Sequence, residues 1–225
     1  MKAAAAPRVK VCCIASVEEA RLAIAHGAAA IGLVSEMPSG PGVIPEPLIA
    51  EVAAGVPPGI GTFLLTSRQS ADGIVEQQRR TRVNTIQICD DLAGGALAEL
   101  RTALPGVSLV QVIHVEGEGA ITRAAAVAPF VDAILLDSGN QKLAVRELGG
   151  TGRRHDWSIS RRIVEQVGVP VYLAGGLQAG NVAEAIATVG PFALDVCSGV
   201  RTDGRLDAAR LEGFFDAVKR AAAVC

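Results

Sequence analysis

Residues 171–200 constrain this chain more than any other stretch: VYLAGGLQAGNVAEAIATVGPFALDVCSGV. Val171 to Ala174 is a short run with a β-branched and an aromatic residue, which reads as a buried strand. It runs into Gly175-Gly176, where the absence of a Cβ lets backbone come close to a ligand. Asn181 precedes a run whose apolar positions recur at helical spacing, so it is the expected cap. A second strand, 193–197, ends in Ser198-Gly199-Val200. Two strands that each end in a glycine turn, with a helix between them, form a βαβ unit. Such turns and helix starts present backbone N–H groups to an anion, so Gly175, Gly176, Ser198, Gly199 and Val200 are the expected phosphate-binding residues. Turning the chain is the other use these glycines could have.

The same alternation runs through the rest of the sequence. Strands are expected at 9–14, 30–34, 61–65, 85–89, 108–115 and 133–137, ahead of the two above. Helices are expected at 17–26, 47–54, 70–80, 93–104, 119–128, 158–167, 182–189 and 207–223, with Ser16 capping the first and Gly27 stopping it. Eight strand–helix units predict an α/β fold, a (β/α)8 TIM barrel, rather than an open doubly wound sheet. No linker or composition shift divides residues 1–225, so one domain is expected, with 1–8 as a disordered leader. Half of the 225 residues are hydrophobic and only 3% are aromatic. That suits strands buried on both faces by Ala, Val, Ile and Leu.

The net charge of −2 is spread over mixed signs, so neither nucleic acid nor an anionic membrane is expected as a partner. Cys12, Cys13, Cys89, Cys197 and Cys225 lack disulfide-framework spacing, which places the chain in a reducing cytosol. No apolar run reaches membrane-span length.

In a barrel, side chains at the carboxyl ends of strands face the active site. Those ends carry Cys12 and Cys13, Cys89 and Asp90, His114, and Asp137. Strand alternation sends Cys12 and Cys13 to opposite sides, so one of them is expected in the mouth. A carboxylate after Ala-Ile-Leu-Leu needs solvent, a partner or a function, which singles out Asp137. Cys12, Cys89 and His114 are also conceivable as soft metal ligands, but their spacing has no paired-ligand pattern. No metal and no cofactor is expected. The two longest strand-to-helix loops, 35–45 and 138–157, contain glycines that suit them to act as lids.

Several motifs occur in a telling order: Lys10-Val11-Cys12, Gln87, Leu135-Leu136-Asp137, Gly149-Gly150-Thr151-Gly152 with Asp156-Trp157, Leu173-Ala174-Gly175-Gly176-Leu177, Asn181-Val182, and Asp195-Val196-Cys197-Ser198-Gly199-Val200. Together they resemble the phosphoribosylanthranilate isomerase family of tryptophan biosynthesis, over nearly the whole chain. The resemblance implies an Amadori rearrangement of a phosphoribosyl-amine to an aminodeoxyketose phosphate. It makes Cys12 the general base and Asp137 the general acid, with Gly150, Thr151 and Gly152 in a substrate loop.

The chemistry fits these residue types. Asp137 must carry a proton for the ring oxygen, so an apolar pocket should raise its pKa. Cys12 must become a thiolate, and a free cysteine titrates near about 8.5. The implied partner is a small phosphorylated substrate, and the chain is expected as a monomer or homodimer.

The match has gaps. The family usually has Gly where Cys13 stands, and His-Gly where Cys89-Asp90 stands. The loop after strand two lacks the usual Ser-Pro-Arg, reading Met37-Pro38-Ser39-Gly40-Pro41-Gly42-Val43-Ile44. Arg68, Arg153 or Arg154 could replace the missing arginine. Two other functions fit these gaps: a sugar-phosphate isomerase with a different amine, and a non-catalytic phosphate-ligand barrel. For the latter, the apolar Val43-Ile44-Pro45 offers a weak partner surface.

Overall fold

The computed structural model describes residues 6–139, 148 and 154–224. Eight parallel strands close into a barrel: β1 (Arg8–Val11), β2 (Ala30–Val34), β3 (Gly61–Thr66), β4 (Thr85–Ile88), β5 (Ser108–His114), β6 (Ala133–Asp137), β7 (Val171–Leu173) and β8 (Ala193–Val196). Closure comes from β1 pairing with β8, with Lys10 opposite Asp195 and Val11 opposite Val196. The competing open doubly wound sheet is thereby excluded. β1 starts at Arg8, inside the expected leader, and residues 1–5 lie outside the described residues.

The helices wrap the outside: α1 (Val17–Ala25), α2 (Glu46–Ala54), α3 (Ala71–Thr81), α4 (Ala96–Ala103), α5 (Gly119–Val127), α6 (Trp157–Gln166), α7 (Val182–Val189) and α8 (Ala208–Val224). The caps follow local chemistry. The Glu19 N–H donates to Ser16 Oγ, and the Ala15 N–H donates to Glu19 Oε2, a reciprocal arrangement at the start of α1. Ser70 and Asp156 accept from the backbone at the starts of α3 and α6. Asn181 stands at the N-cap of α7 as expected, but its side chain makes no capping hydrogen bond there. Its side chain accepts from the Gln178 N–H at 2.9 Å and donates to the Gly176 carbonyl at 2.9 Å. It braces the glycine turn instead of the helix.

The layer between strands and helices is the main core, filled by Ile14, Ile31, Leu33, Ile49, Leu64 and Ile74 among others. A second, smaller cluster fills the barrel interior, and Cys12, Cys13, Val34, Leu65, Cys89 and Ala174 belong to it. Sequence reading did not foresee one element. Strands β9 (Arg201–Thr202) and β10 (Arg205–Leu206) form a hairpin after the last barrel strand. Its turn is Asp203-Gly204, both at positive φ, the pair that two-residue hairpin turns favour.

Candidate active site

Cys12, Asp137, Gly175, Gly176 and Ser198 all line one cavity at the carboxyl end of the barrel. Asp137 ends β6 and is 8% exposed. Burial pushes its carboxyl above the usual carboxylate range, against the opposing effect of the Ser138 N–H, which donates to Oδ1 at 2.7 Å. A carboxyl whose pKa is raised in a pocket suits proton donation.

Cys12 follows β1, and its N–H still pairs with the Val196 carbonyl at 2.8 Å. Its sulfur has a neighbour that sequence reading did not assign. Lys10, wholly buried, places Nζ 3.5 Å from Cys12 Sγ and donates to Asp195 Oδ2 at 2.8 Å. Burial alone would lower the lysine pKa; the Asp195 carboxylate, with help from Cys12, reverses that and raises it. The site therefore keeps an ammonium against the thiol, a charge-assisted contact of the kind a thiolate accepts.

Asp195 also borders the cavity, and its second oxygen has no hydrogen-bond partner among the described residues. Gly32 makes room for the group: a Cβ there would sit 2.8 Å from Cys12 Sγ and 3.0 Å from Lys10 Nζ. The clue was legible as a lysine and an aspartate inside apolar strands, with a glycine inside β2.

The expectation that Cys12 and Cys13 diverge fails. The strand ends at Val11, and Cys13 adopts φ 60, so both cysteines border the cavity. That left-handed backbone costs a non-glycine residue about 1–3 kcal/mol. It also explains the glycine the resembled family usually has here. Arg201 holds the turn by donating to the Cys13 carbonyl at 2.6 Å and the Cys12 carbonyl at 3.3 Å, while pairing with Glu19 at 3.0 Å.

At the ends of β7 and β8, where the phosphate was expected, Gly175 and Gly176 have φ of 85 and 64. Gly199 packs so closely that a Cβ would lie 2.0 Å from the Leu177 carbonyl oxygen. It shapes the turn rather than lining the cavity. The Val200 side chain is buried and its N–H turns back to the Cys197 carbonyl at 3.4 Å, so its part is also structural. Gly150, Thr151 and Gly152 lie outside the described residues, as does Arg153.

The opposite wall is formed by Met37, Ser39, Gly40, Pro41, Leu65 and Gln87. Loop 35–45 folds back, with Val43 bridging to Val34 and the Ile44 N–H donating to the Val34 carbonyl. Ile44 is buried, so Val43-Ile44-Pro45 is not the continuous apolar surface expected.

Two of the arginines considered as replacements are engaged elsewhere. Arg68 lies 3.7 Å from Glu46, and Arg154 pairs with Glu184 and stacks on the Trp157 ring. The His114 ring faces the Cys89 carbonyl, and burial pushes the Cys89 thiol up, so Cys89 stays protonated. Among the described residues no group of three His, Cys, Asp or Glu side chains could hold a metal ion. None of the helices, among the described residues, is long and apolar enough to cross a membrane.

Comparison with known proteins agrees along the whole barrel. The family model described as N-(5'phosphoribosyl)anthranilate (PRA) isomerase matches residues 9–217. The N-(5'-phosphoribosyl)anthranilate isomerase of Haloferax volcanii is 38% identical over 216 residues, covering 95% of this chain and 94% of that one. Isomerase 2 of Methanosarcina mazei is 36% identical, covering 94% of each. The crystal structure of the Thermotoga maritima phosphoribosyl anthranilate isomerase superposes with a TM-score of 0.81 at 26% identity, covering 95% of this chain and 99% of that one.

Proposed function

The chain belongs to the PRA isomerase family, and from that premise we propose that it converts N-(5-phosphoribosyl)anthranilate to 1-(2-carboxyphenylamino)-1-deoxyribulose 5-phosphate in tryptophan biosynthesis. The observation that carries the reading is the shared cavity: the Cys12 thiol, the Asp137 carboxyl and the Gly175-Gly176 and Ser198 turns all border it.

The substrate phosphate sits against Gly175, Gly176 and Ser198, with Gly199 and Val200 keeping the turn in shape. That anchor holds the sugar between acid and base. Asp137, its pKa raised by burial, gives its proton to the ring oxygen as the C1–O bond breaks, which opens the ring to a Schiff base. Cys12, as thiolate beside Lys10, removes the proton from C2. The C2–H electrons form the C1–C2 double bond while the imine nitrogen is neutralised. The resulting enolamine then tautomerises to the ketone. Acid and base are both side chains of this chain, and the Lys10–Asp195 pair orients the base.

A cytosolic setting and a monomeric or dimeric state belong to the same proposal. The first is supported by five cysteines without framework spacing. The test is an isomerase assay with phosphoribosylanthranilate, followed by loss of substrate fluorescence, together with rescue of a tryptophan-requiring strain lacking this step. Turnover and rescue are expected. Tight binding of the substrate without turnover would refute the reading.

A further inference from the structure

Two cysteines outside the acid–base pair stand closer together than packing requires. Cys13 Sγ and Cys197 Sγ are 2.9 Å apart, within hydrogen-bond distance, although 184 positions separate them in the chain. Each abuts a different part of the site. Cys13 follows Cys12, and Cys197 precedes Ser198. Cys13 also holds its strained φ of 60 where glycine would be free of strain. A costly backbone at one partner and a close sulfur contact at the other are independent observations, and both point to the pair itself.

We propose that Cys13 and Cys197 form a redox modification site, which a hydroperoxide oxidises to a disulfide that shuts off the cavity. Cys197 is the nucleophile: it borders the cavity and is less buried than Cys13. The hydrogen bond with Cys13 lowers the Cys197 pKa, with Arg201 adding to the effect, while hydrogen bonds with Cys12 and Cys197 push the Cys13 thiol up.

The Cys197 thiolate attacks the peroxide, cleaving the O–O bond to give a sulfenic acid and, after protonation, one water from hydrogen peroxide or one alcohol from an organic hydroperoxide. Cys13 then attacks that sulfur, the S–S bond forms, the S–O bond breaks, and the departing hydroxide takes the Cys13 proton and leaves as water. Two electrons pass from the sulfurs to the peroxide. Cytosolic thiols reverse the bond.

Bond formation draws the sulfurs from 2.9 Å to about 2.05 Å. The turn gives way with them. Gly42 of loop 35–45 packs on this same turn, its Cβ position only 2.5 Å from the Cys13 Cβ, so the shift reaches the opposite wall as well.

The experiment treats reduced protein with hydrogen peroxide and maps tryptic peptides. Peptides 11–21 and 163–201 should become linked, with fragment spectra placing the bond at Cys13 rather than Cys12. The link should persist in Cys12→Ser. This arm needs no substrate and is independent of the isomerase reading. The activity arm rests on that reading: kcat/KM should fall by about tenfold or more, as expected for a site displaced by a good fraction of an ångström. Dithiothreitol should restore it. Cys13→Gly, which relieves the backbone, should lose the reversible inactivation. A bond to Cys12 or Cys89, no bond at all, a bond without loss of activity, or equal reversible loss in Cys13→Gly would each overturn the proposal.

Discussion

The two walls of the barrel mouth are held by different means. Around β1, β6, β7 and β8, polar groups are fixed by other polar groups: Lys10 by Asp195, the Gly176 turn by Asn181, the Cys13 turn by Arg201. Around β2, β3 and β4 the cavity is bordered mainly by Met37, Gly40, Pro41 and Leu65, with Ser39 and Gln87 as the polar members. The first wall carries most of the family motifs, with Cys13 as its departure. The second is where the Ser-Pro-Arg and His-Gly patterns are missing. Chemistry demands fixed donors and acceptors, whereas an aromatic substituent needs area and shape. The reacting wall can therefore change little, while the other wall has freedom to drift.

The sharpest break in that contrast comes from the acid. Asp137→Asn should lower kcat about 10³-fold, and Cys12→Ser should act similarly, since acid–base groups contribute about 10²–10⁴. Inorganic phosphate should inhibit both variants and the parent equally; a large loss of that inhibition in a variant would show that the wall is not modular. The pH profile sharpens the assignment. Asp137 must be protonated, and its pKa is raised by burial, so kcat should fall as pH rises through that raised value. This limb should be absent from Asp137→Asn.

Next in size is the buried ion pair. Lys10→Met leaves Asp195 charged and alone, and unfolding in denaturant should show a loss of about 3–5 kcal/mol. Adding Asp195→Leu should recover much of it. If the double variant regains stability yet stays slow, Lys10 acts through the Cys12 thiol as well as through the fold. Gly199→Ala comes after it. Its Cβ would lie 2.0 Å from the Leu177 carbonyl oxygen, so the turn must shift at a cost of about 1–3 kcal/mol. The shift should appear in KM and in phosphate inhibition more than in kcat.

What the chain discloses of this arrangement follows from how local each cause is. The alternation of β-branched runs with capped helical stretches is local, and so the strands, Ser16 and Asp137 are readable from composition and order. That Cys12 and Asp137 belong to one site was suggested by resemblance, and the two do line one cavity. Lys10 and Asp195 are visible as charges in apolar strands, but their partnership is set by the register of β1 on β8, which exists only once the barrel closes. The left-handed turn at Cys13 reverses an alternation argument that holds only while a strand continues. Asn181 looks like a cap by residue type, and only the nearby Gly176 carbonyl redirects it. The Asp203-Gly204 hairpin was legible and was missed, because its strands are two residues long.

The smallest effect tests the second wall directly. Met37 is half-buried and borders the cavity. Removing about half of a methionine's burial on substrate binding is worth about 1 kcal/mol, so Met37→Ala should raise KM for phosphoribosylanthranilate about fivefold. Phosphate inhibition should not move, because Met37 belongs to loop 35–45 and supplies no residue of the β7 and β8 turns. Gly199→Ala should show the opposite pair of responses, with phosphate inhibition weakened. If Met37→Ala weakened phosphate as much as substrate, the two walls would be coupled. The loss of the arginine pattern would then have to be offset inside the phosphate turns themselves, and the division between a fixed reacting wall and an adaptable amine wall would fail.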